Sequence, residues 1–206
     1  MTAIGRQPAW ERAAIAIAIA GIAIAVGFVS GMREGFDPKA MSLGATLFLL
    51  LGVAAWRRIK PAEIGLRSAG VLLAVPFVAA LFAAGILADI WRPEIGTADV
   101  WKMVLGCGLV GFTEELLWRG YLQTEAVRSF GYLRGLLLAS ILFGILHLPK
   151  TALAGHSRGG AVALQTALHV LMGVVFGHCY RKAGSLWAPA ALHALVNSAG
   201  LFTSIT

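Results

Sequence analysis

From Ala13 to Val29 the chain has no charged and no hydrogen-bonding side chain. That length is close to the roughly 20 residues a helix needs to cross about 30 Å of hydrocarbon. Further apolar stretches follow at about 40–56, 70–91, 100–127, 132–149, 161–180 and 186–205, separated by short segments carrying charge, Gly or Pro. In lipid a backbone must satisfy its own polar groups, and single helices do so most simply. The pattern predicts an all-α, polytopic transmembrane helix bundle of about seven spans, or eight if the long stretch 100–127 divides. The Ala/Ile alternation of the first run does not argue for a strand, because both residue types are apolar and neither face would be polar. A cleaved signal peptide is the rival reading, since Arg6 and Arg12 precede the run, but it exceeds the roughly 7–15 apolar residues of a secretory signal.

Composition agrees. With 58% hydrophobic and 13% charged residues among 206, a soluble globule would lack polar surface. The chain reads as a single membrane domain over 1–206, with no internal repeat, long linker or room for a soluble domain. Orientation follows from the Lys and Arg residues, which are in excess on cytoplasmic loops. With the N-terminus inside, Arg6, Arg12, Arg57, Arg58, Lys60, Arg67, Arg128, Arg134, Arg181 and Lys182 are cytoplasmic, against Arg33, Lys39, Arg92, Lys102, Lys150 and Arg158. Ten against six, plus an intramembrane Arg119, accounts for all 17 and favours a cytoplasmic N-terminus. The net charge of +7 is then a basic rim facing anionic lipid, with no nucleic-acid partner needed. Trp10, Trp56, Trp91 and Trp187 stand near span ends, as in an interfacial belt. Cys107 and Cys179 fall within spans and read as small packing residues.

Three polar constellations interrupt the later apolar stretches: Glu114-Glu115-x-x-x-Arg119, Phe143-x-x-x-His147 and His193-x-x-x-Asn197. Ionisable groups inside a bilayer are costly, and they mark functional sites by default. At about 1.5 Å per residue from the cytoplasmic ends of their spans, Glu114 and His147 lie about 20 Å deep, His193 about 10 Å and Asn197 about 16 Å. Three helices distant in sequence thus bring carboxylate, imidazole and amide to broadly similar depths. Glu115 and Arg119, four apart, can form an internal ion pair that leaves Glu114 facing elsewhere. Phe143 can pack on His147 one turn away, and His193 shares a face with Asn197.

In this order, on successive late spans, the three motifs resemble those of the CPBP family, which comprises type II CAAX prenyl endopeptidases and the bacteriocin-processing or Abi proteins. The run Glu115-Leu116-Leu117-Trp118-Arg119-Gly120-Tyr121-Leu122 continues the family pattern. The motifs span Glu114 to Asn197, with the core at about 98–205, and the N-terminal third contributes only compatible hydropathy. The resemblance implies an intramembrane endopeptidase acting on a membrane-associated protein or peptide. Glu114 and His147 would activate a water, His193 and Asn197 would donate to the oxyanion, and Glu115 and Arg119 would hold Glu114 in place. The family is also described as metalloproteases, and Glu114, His147 and His193 form a set that could hold zinc or another divalent metal. No H-E-x-x-H signature occurs, and a metal-free glutamate mechanism is slightly preferred.

Other readings remain. The same residues could serve a proton-coupled transporter, although the paired repeats common there are missing, or a non-catalytic scaffold or immunity protein of the same fold. Singly, each motif residue could be an interhelical hydrogen-bond partner. His169 and His178 read as packing or helix-end residues, and His156 as an exposed loop residue. The partners implied are a peptide or protein substrate and the bilayer itself. The expected location is multi-pass, in the cell (inner) membrane of a bacterial source, with the site opening toward the cytoplasm.

Overall fold

The computed structural model describes residues 8–32, 35, 37–148 and 159–199. Arg6, Arg33, Lys150, His156, Arg158 and the stretch from 200 onward lie outside the described residues. Within them every regular element is helical. Helix α1 (Ala9–Gly31) and α2 (Pro38–Trp56) are followed by two short 3-10 turns, Pro61–Ile64 and Val71–Ala74, and by α3 (Val75–Trp91). Helix α4 (Thr97–Glu115) runs without interruption into a π-helical segment (Leu116–Gln123) and α5 (Thr124–Phe130). Helices α6 (Tyr132–Leu146), α7 (Gly159–Ala183) and α8 (Trp187–Asn197) complete the bundle.

Three segments are long and apolar enough to cross a membrane: Trp10–Ser30, Val71–Trp91 and Gly160–Ala183. Ala40–Trp56 and Tyr132–Leu146 are apolar but shorter. The outer surface is what a lipid contact requires. Phe28, Phe48, Leu72, Leu105, Leu133 and Leu164 all stand exposed, and a water-soluble monomer does not tolerate apolar surface of that extent. Inside, α1 contributes the small buried face Ala16, Ile19 and Ala23, which answers the uninformative Ala/Ile alternation with a helix.

The long stretch 100–127 lies within one continuous helical run. It stays one rod and absorbs its polar load by changing geometry. The N–H of Thr124 and its hydroxyl both donate to the carbonyl of Arg119, five residues back, which is the π-type spacing. All eight residues of the π segment are buried. At Gly131 the backbone takes φ 80°, a left-handed conformation that glycine adopts without strain, and α6 turns back along α5. Helix α8 lies so close to α4 that a Cβ on Gly111 would sit 2.7 Å from the Ala190 carbonyl oxygen and 2.9 Å from the Ala194 nitrogen. This close approach of small residues is the usual way for helices to pack in lipid.

At one end of the bundle α1 is tied to its neighbours by charge. Buried Arg12 donates to the Tyr121 carbonyl at 3.2 Å and lies 3.8 Å from the Glu125 carboxylate, which Arg128 also approaches at 3.3 Å. Arg57 reaches Glu11 at 2.5 Å. Trp187, the first residue of α8, donates its indole N–H to the Arg67 carbonyl at this same end.

Candidate active site

The two carboxylates of α4 are adjacent in sequence and are treated differently by the fold. Glu115 is fully buried, whereas the Glu114 side chain is 21% exposed and faces a cavity. Arg119, also fully buried, brings Nε to 3.1 Å from Oε2 of Glu115, a charge contact whose angle is not that of a hydrogen bond. Its guanidinium lies over the rings of Phe143 and Phe176, with the carbon 4.8 Å and 5.7 Å from their centroids. An aromatic face is a favourable neighbour for a desolvated cation.

The histidines are oriented through Nδ1. His147 caps α6 and its Nδ1 is 2.7 Å from the Phe143 carbonyl oxygen, which can only accept, so Nδ1 carries the proton. His193 places Nδ1 3.0 Å from Oε1 of Glu115; a carboxylate paired with arginine accepts, and here too Nδ1 is the donor. Both rings therefore present Nε2 toward one oxygen. Oε2 of Glu114 lies 3.4 Å from Nε2 of His147 and 3.9 Å from Nε2 of His193. Phe143 packs on His147 at 4.5 Å between centroids, and Phe176 stacks on His193 at 4.6 Å. The fold thus gathers Glu114, Glu115, Arg119, His147 and His193 from α4, its π segment, α6 and α8.

Glu114, His147, His193 and half-buried Asn197 line one cavity of about 750 Å³. A second chamber of about 400 Å³, walled largely by apolar groups of α1 and α2, meets the first at Glu114 and His147. The larger cavity also includes Asp37 and Lys102, both exposed, at the end of the bundle opposite the Arg12 and Arg57 contacts. The cavity thus runs toward Asp37 and Lys102, away from the end that holds Arg12 and Arg57. The π segment fills that half with Leu116, Trp118, Tyr121 and Leu122.

One further histidine stands beside the site. His169, read as a packing residue, lines the cavity and stacks on His147 at 4.4 Å with an interplanar angle of 22°. Its Nδ1 is held by the Gln165 carbonyl at 2.7 Å, as that of His147 is held by Phe143. No motif marked it, since it stands in an apolar run outside the three constellations. His178 is the helix-end residue expected, bonded through Nδ1 to the Tyr132 hydroxyl at 2.8 Å.

The donor chemistry of Glu114, His147 and His193 suits a divalent cation, with each imidazole held at its other nitrogen by an outer partner. The spacing does not reach that standard: among the described residues no group of three or more His, Cys, Asp or Glu side chains is drawn together as a metal site.

The family model described as Type II CAAX prenyl endopeptidase Rce1-like matches residues 96–199, half of the chain, and the chain belongs to that family. It is accordingly an integral membrane protein of a hydrolase family whose members are CAAX-protease-like endopeptidases. Comparison with curated proteins and with solved structures gave no match.

Proposed function

We propose that this chain is an intramembrane endopeptidase in which Glu114 is the general base. The observation that carries this reading is the approach of two imidazole Nε2 atoms to one Glu114 oxygen on the wall of a large cavity. A water between Glu114 and His147 can donate to both and keep a lone pair for the scissile carbonyl carbon. As its oxygen bonds to that carbon, Glu114 takes its proton, and the carbonyl becomes an oxyanion. Asn197 receives the oxyanion through its amide N–H. His193, whose Nδ1 is tied to Glu115, donates from Nε2 as the imidazolium, with the Glu115 carboxylate facing its charge. Glu114 then passes the proton to the leaving nitrogen, the C–N bond breaks, and a carboxylic acid and an amine leave. Glu115 and Arg119 act through their neighbours, as positioning residues.

The cavity is needed for the same reason as the catalytic groups, because a substrate must unfold to be cut and exposed backbone is not tolerated in lipid. The reading takes residues 1–206 as one membrane domain, the N-terminus as cytoplasmic by the basic-residue count, and a cell membrane as the location. The test is cleavage of a fluorogenic peptide library by detergent-purified protein, comparing wild type with Glu114→Ala and His147→Ala, each with and without a strong chelator. Loss of cleavage in both folded variants is expected. Loss of wild-type activity on chelation would replace the bare Glu-His water site by a metal centre on the same residues. Cleavage that survives Glu114→Ala would rule the mechanism out and leave a scaffold or transporter to be tested.

A further inference from the structure

We infer that the start of α6 and the end of α7 form a binding site for an anionic phospholipid. Arg181, Lys182 and His178 meet its phosphate, and the exposed apolar rows of the two helices meet its acyl chains. The site lies outside the residues assigned to catalysis and does not depend on Glu114 being the general base.

The first observation is an imbalance of charge. Glu125 is the last acidic residue of the chain, so that neither α6 nor α7 contains Asp or Glu. Glu125 is itself buried and already faces Arg12 at 3.8 Å and Arg128 at 3.3 Å. Arg134 near the start of α6, and Arg181 and Lys182 in the last turn of α7, are exposed, and none of the three pairs with a carboxylate among the described residues. Charge complementarity therefore calls for an anion from outside the described chain. Basic side chains at a membrane surface draw that anion from lipid headgroups.

The second observation is that these cations are held in place beside an apolar surface. The Arg181 guanidinium lies over the Tyr132 ring, its carbon 3.7 Å from the centroid. The Tyr132 hydroxyl is in turn 2.8 Å from Nδ1 of exposed His178, one turn before Arg181 and Lys182. An arginine over an aromatic ring keeps N–H groups for a second partner, and its planar fork matches phosphate oxygens. With the hydroxyl donating to Nδ1, Nε2 of His178 carries hydrogen and adds another donor. Gly177 packs on Leu136 and Gly173 on Ser140, an antiparallel register that brings the start of α6 to the end of α7. Away from the cluster, α6 exposes Leu133, Leu137 and Ile141 at intervals of four. Helix α7 exposes Leu168, Leu171 and Val175, a row whose spacing of three and four continues into His178 and Lys182. Charge thus passes directly into apolar surface, as a phosphate passes into acyl chains, which favours a lipid over a soluble anion.

The experiment is native mass spectrometry of the full chain, delipidated in detergent and incubated with equal amounts of phosphatidylglycerol and phosphatidylcholine of the same acyl composition. Wild type is expected to retain phosphatidylglycerol preferentially. The preference should fall roughly 20-fold in Arg181→Gln/Lys182→Gln, at roughly fivefold for each basic residue removed from a lipid surface. It should persist in Arg57→Gln/Arg58→Gln, which removes the same charge elsewhere. Tyr132→Phe, which keeps the ring under Arg181 and releases His178, should weaken it by a smaller factor and gives a second reading if the double variant does not fold. Equal retention of the two lipids by wild type would overturn the inference. So would equal losses in the two double variants, because a diffuse charge effect is not a site. Displacement of phosphatidylglycerol by millimolar glycerol 3-phosphate would assign the cluster to a soluble phosphate ligand and overturn the lipid as its occupant.

Discussion

Nδ1 of His193 lies 3.0 Å from Oε1 of Glu115, across 78 residues of sequence, and the other oxygen of that carboxylate faces Arg119. One buried carboxylate therefore serves two partners. It balances a cation that is fully out of solvent and sets which nitrogen of His193 is turned toward Glu114.

Glu115→Gln is expected to lower both stability and turnover. It leaves the Arg119 charge buried without an ion-pair partner, a loss of about 3–5 kcal/mol in comparable buried pairs. Turnover should fall ~10²-fold through His193, the scale seen when an orienting partner is removed. The double variant Glu115→Gln/Arg119→Met should recover melting temperature and not activity. Thermal denaturation and kcat of the two single variants and the double variant check this; strictly additive stability losses would show that the two side chains do not act as a pair.

Gly111→Ala should reduce cleavage while leaving helix content unchanged. The added Cβ would collide with the α8 backbone at Ala190 and Ala194, and relief by moving α8 carries His193 away from Glu114 and Glu115. A displacement of about 1 Å can cost ~10² in rate. Circular dichroism beside a kinetic assay separates this from unfolding, and an unaffected kcat would mean that the approach of α8 to α4 is not rate-determining.

Two arginines that the basic-residue count treats alike should behave differently. Arg12 is 4% exposed and tied to Tyr121 and Glu125, while the Arg57 side chain is 32% exposed. Arg57→Ala is expected to cost under about 1 kcal/mol, as surface pairs do. Arg12→Met should cost several times more, because Glu125 loses a partner inside the bundle. Melting curves in one detergent decide between this and equal losses.

His169→Ala should lower kcat more than His169→Phe does, with KM little changed in either. Phenylalanine can keep the ring stacked on His147 at the spacing now seen, whereas alanine leaves His147 unsupported on that side. Equal activity in all three proteins would return His169 to the role of simple packing.

Much of this was legible in sequence. Long apolar runs demanded helices because lipid offers no partner for backbone groups, and the spacings of four brought Glu115 to Arg119 and Phe143 to His147 because neighbours on a helix face are set by local geometry. The π segment was not legible: whether 100–127 kinks, divides or widens depends on how eight buried residues pack, as the Thr124 hydroxyl shows by bonding both Arg119 and Tyr180. The neighbour of His169 was not legible for a related reason, since an isolated histidine in an apolar run gives no sign of which ring it will meet.

Sequence alone determined that this chain is a bundle of apolar helices, which ionisable residues fall inside them, and how close neighbours on one helix pair, since each of these follows from hydropathy and helical period. Tertiary structure decided what no period contains: that Glu115 meets His193, that His169 stacks on His147, and that the cavity opens away from the basic rim. Those depend on how closely helices approach, and the approach is set by the shape of small surfaces such as that at Gly111, where a single methyl group would be too much.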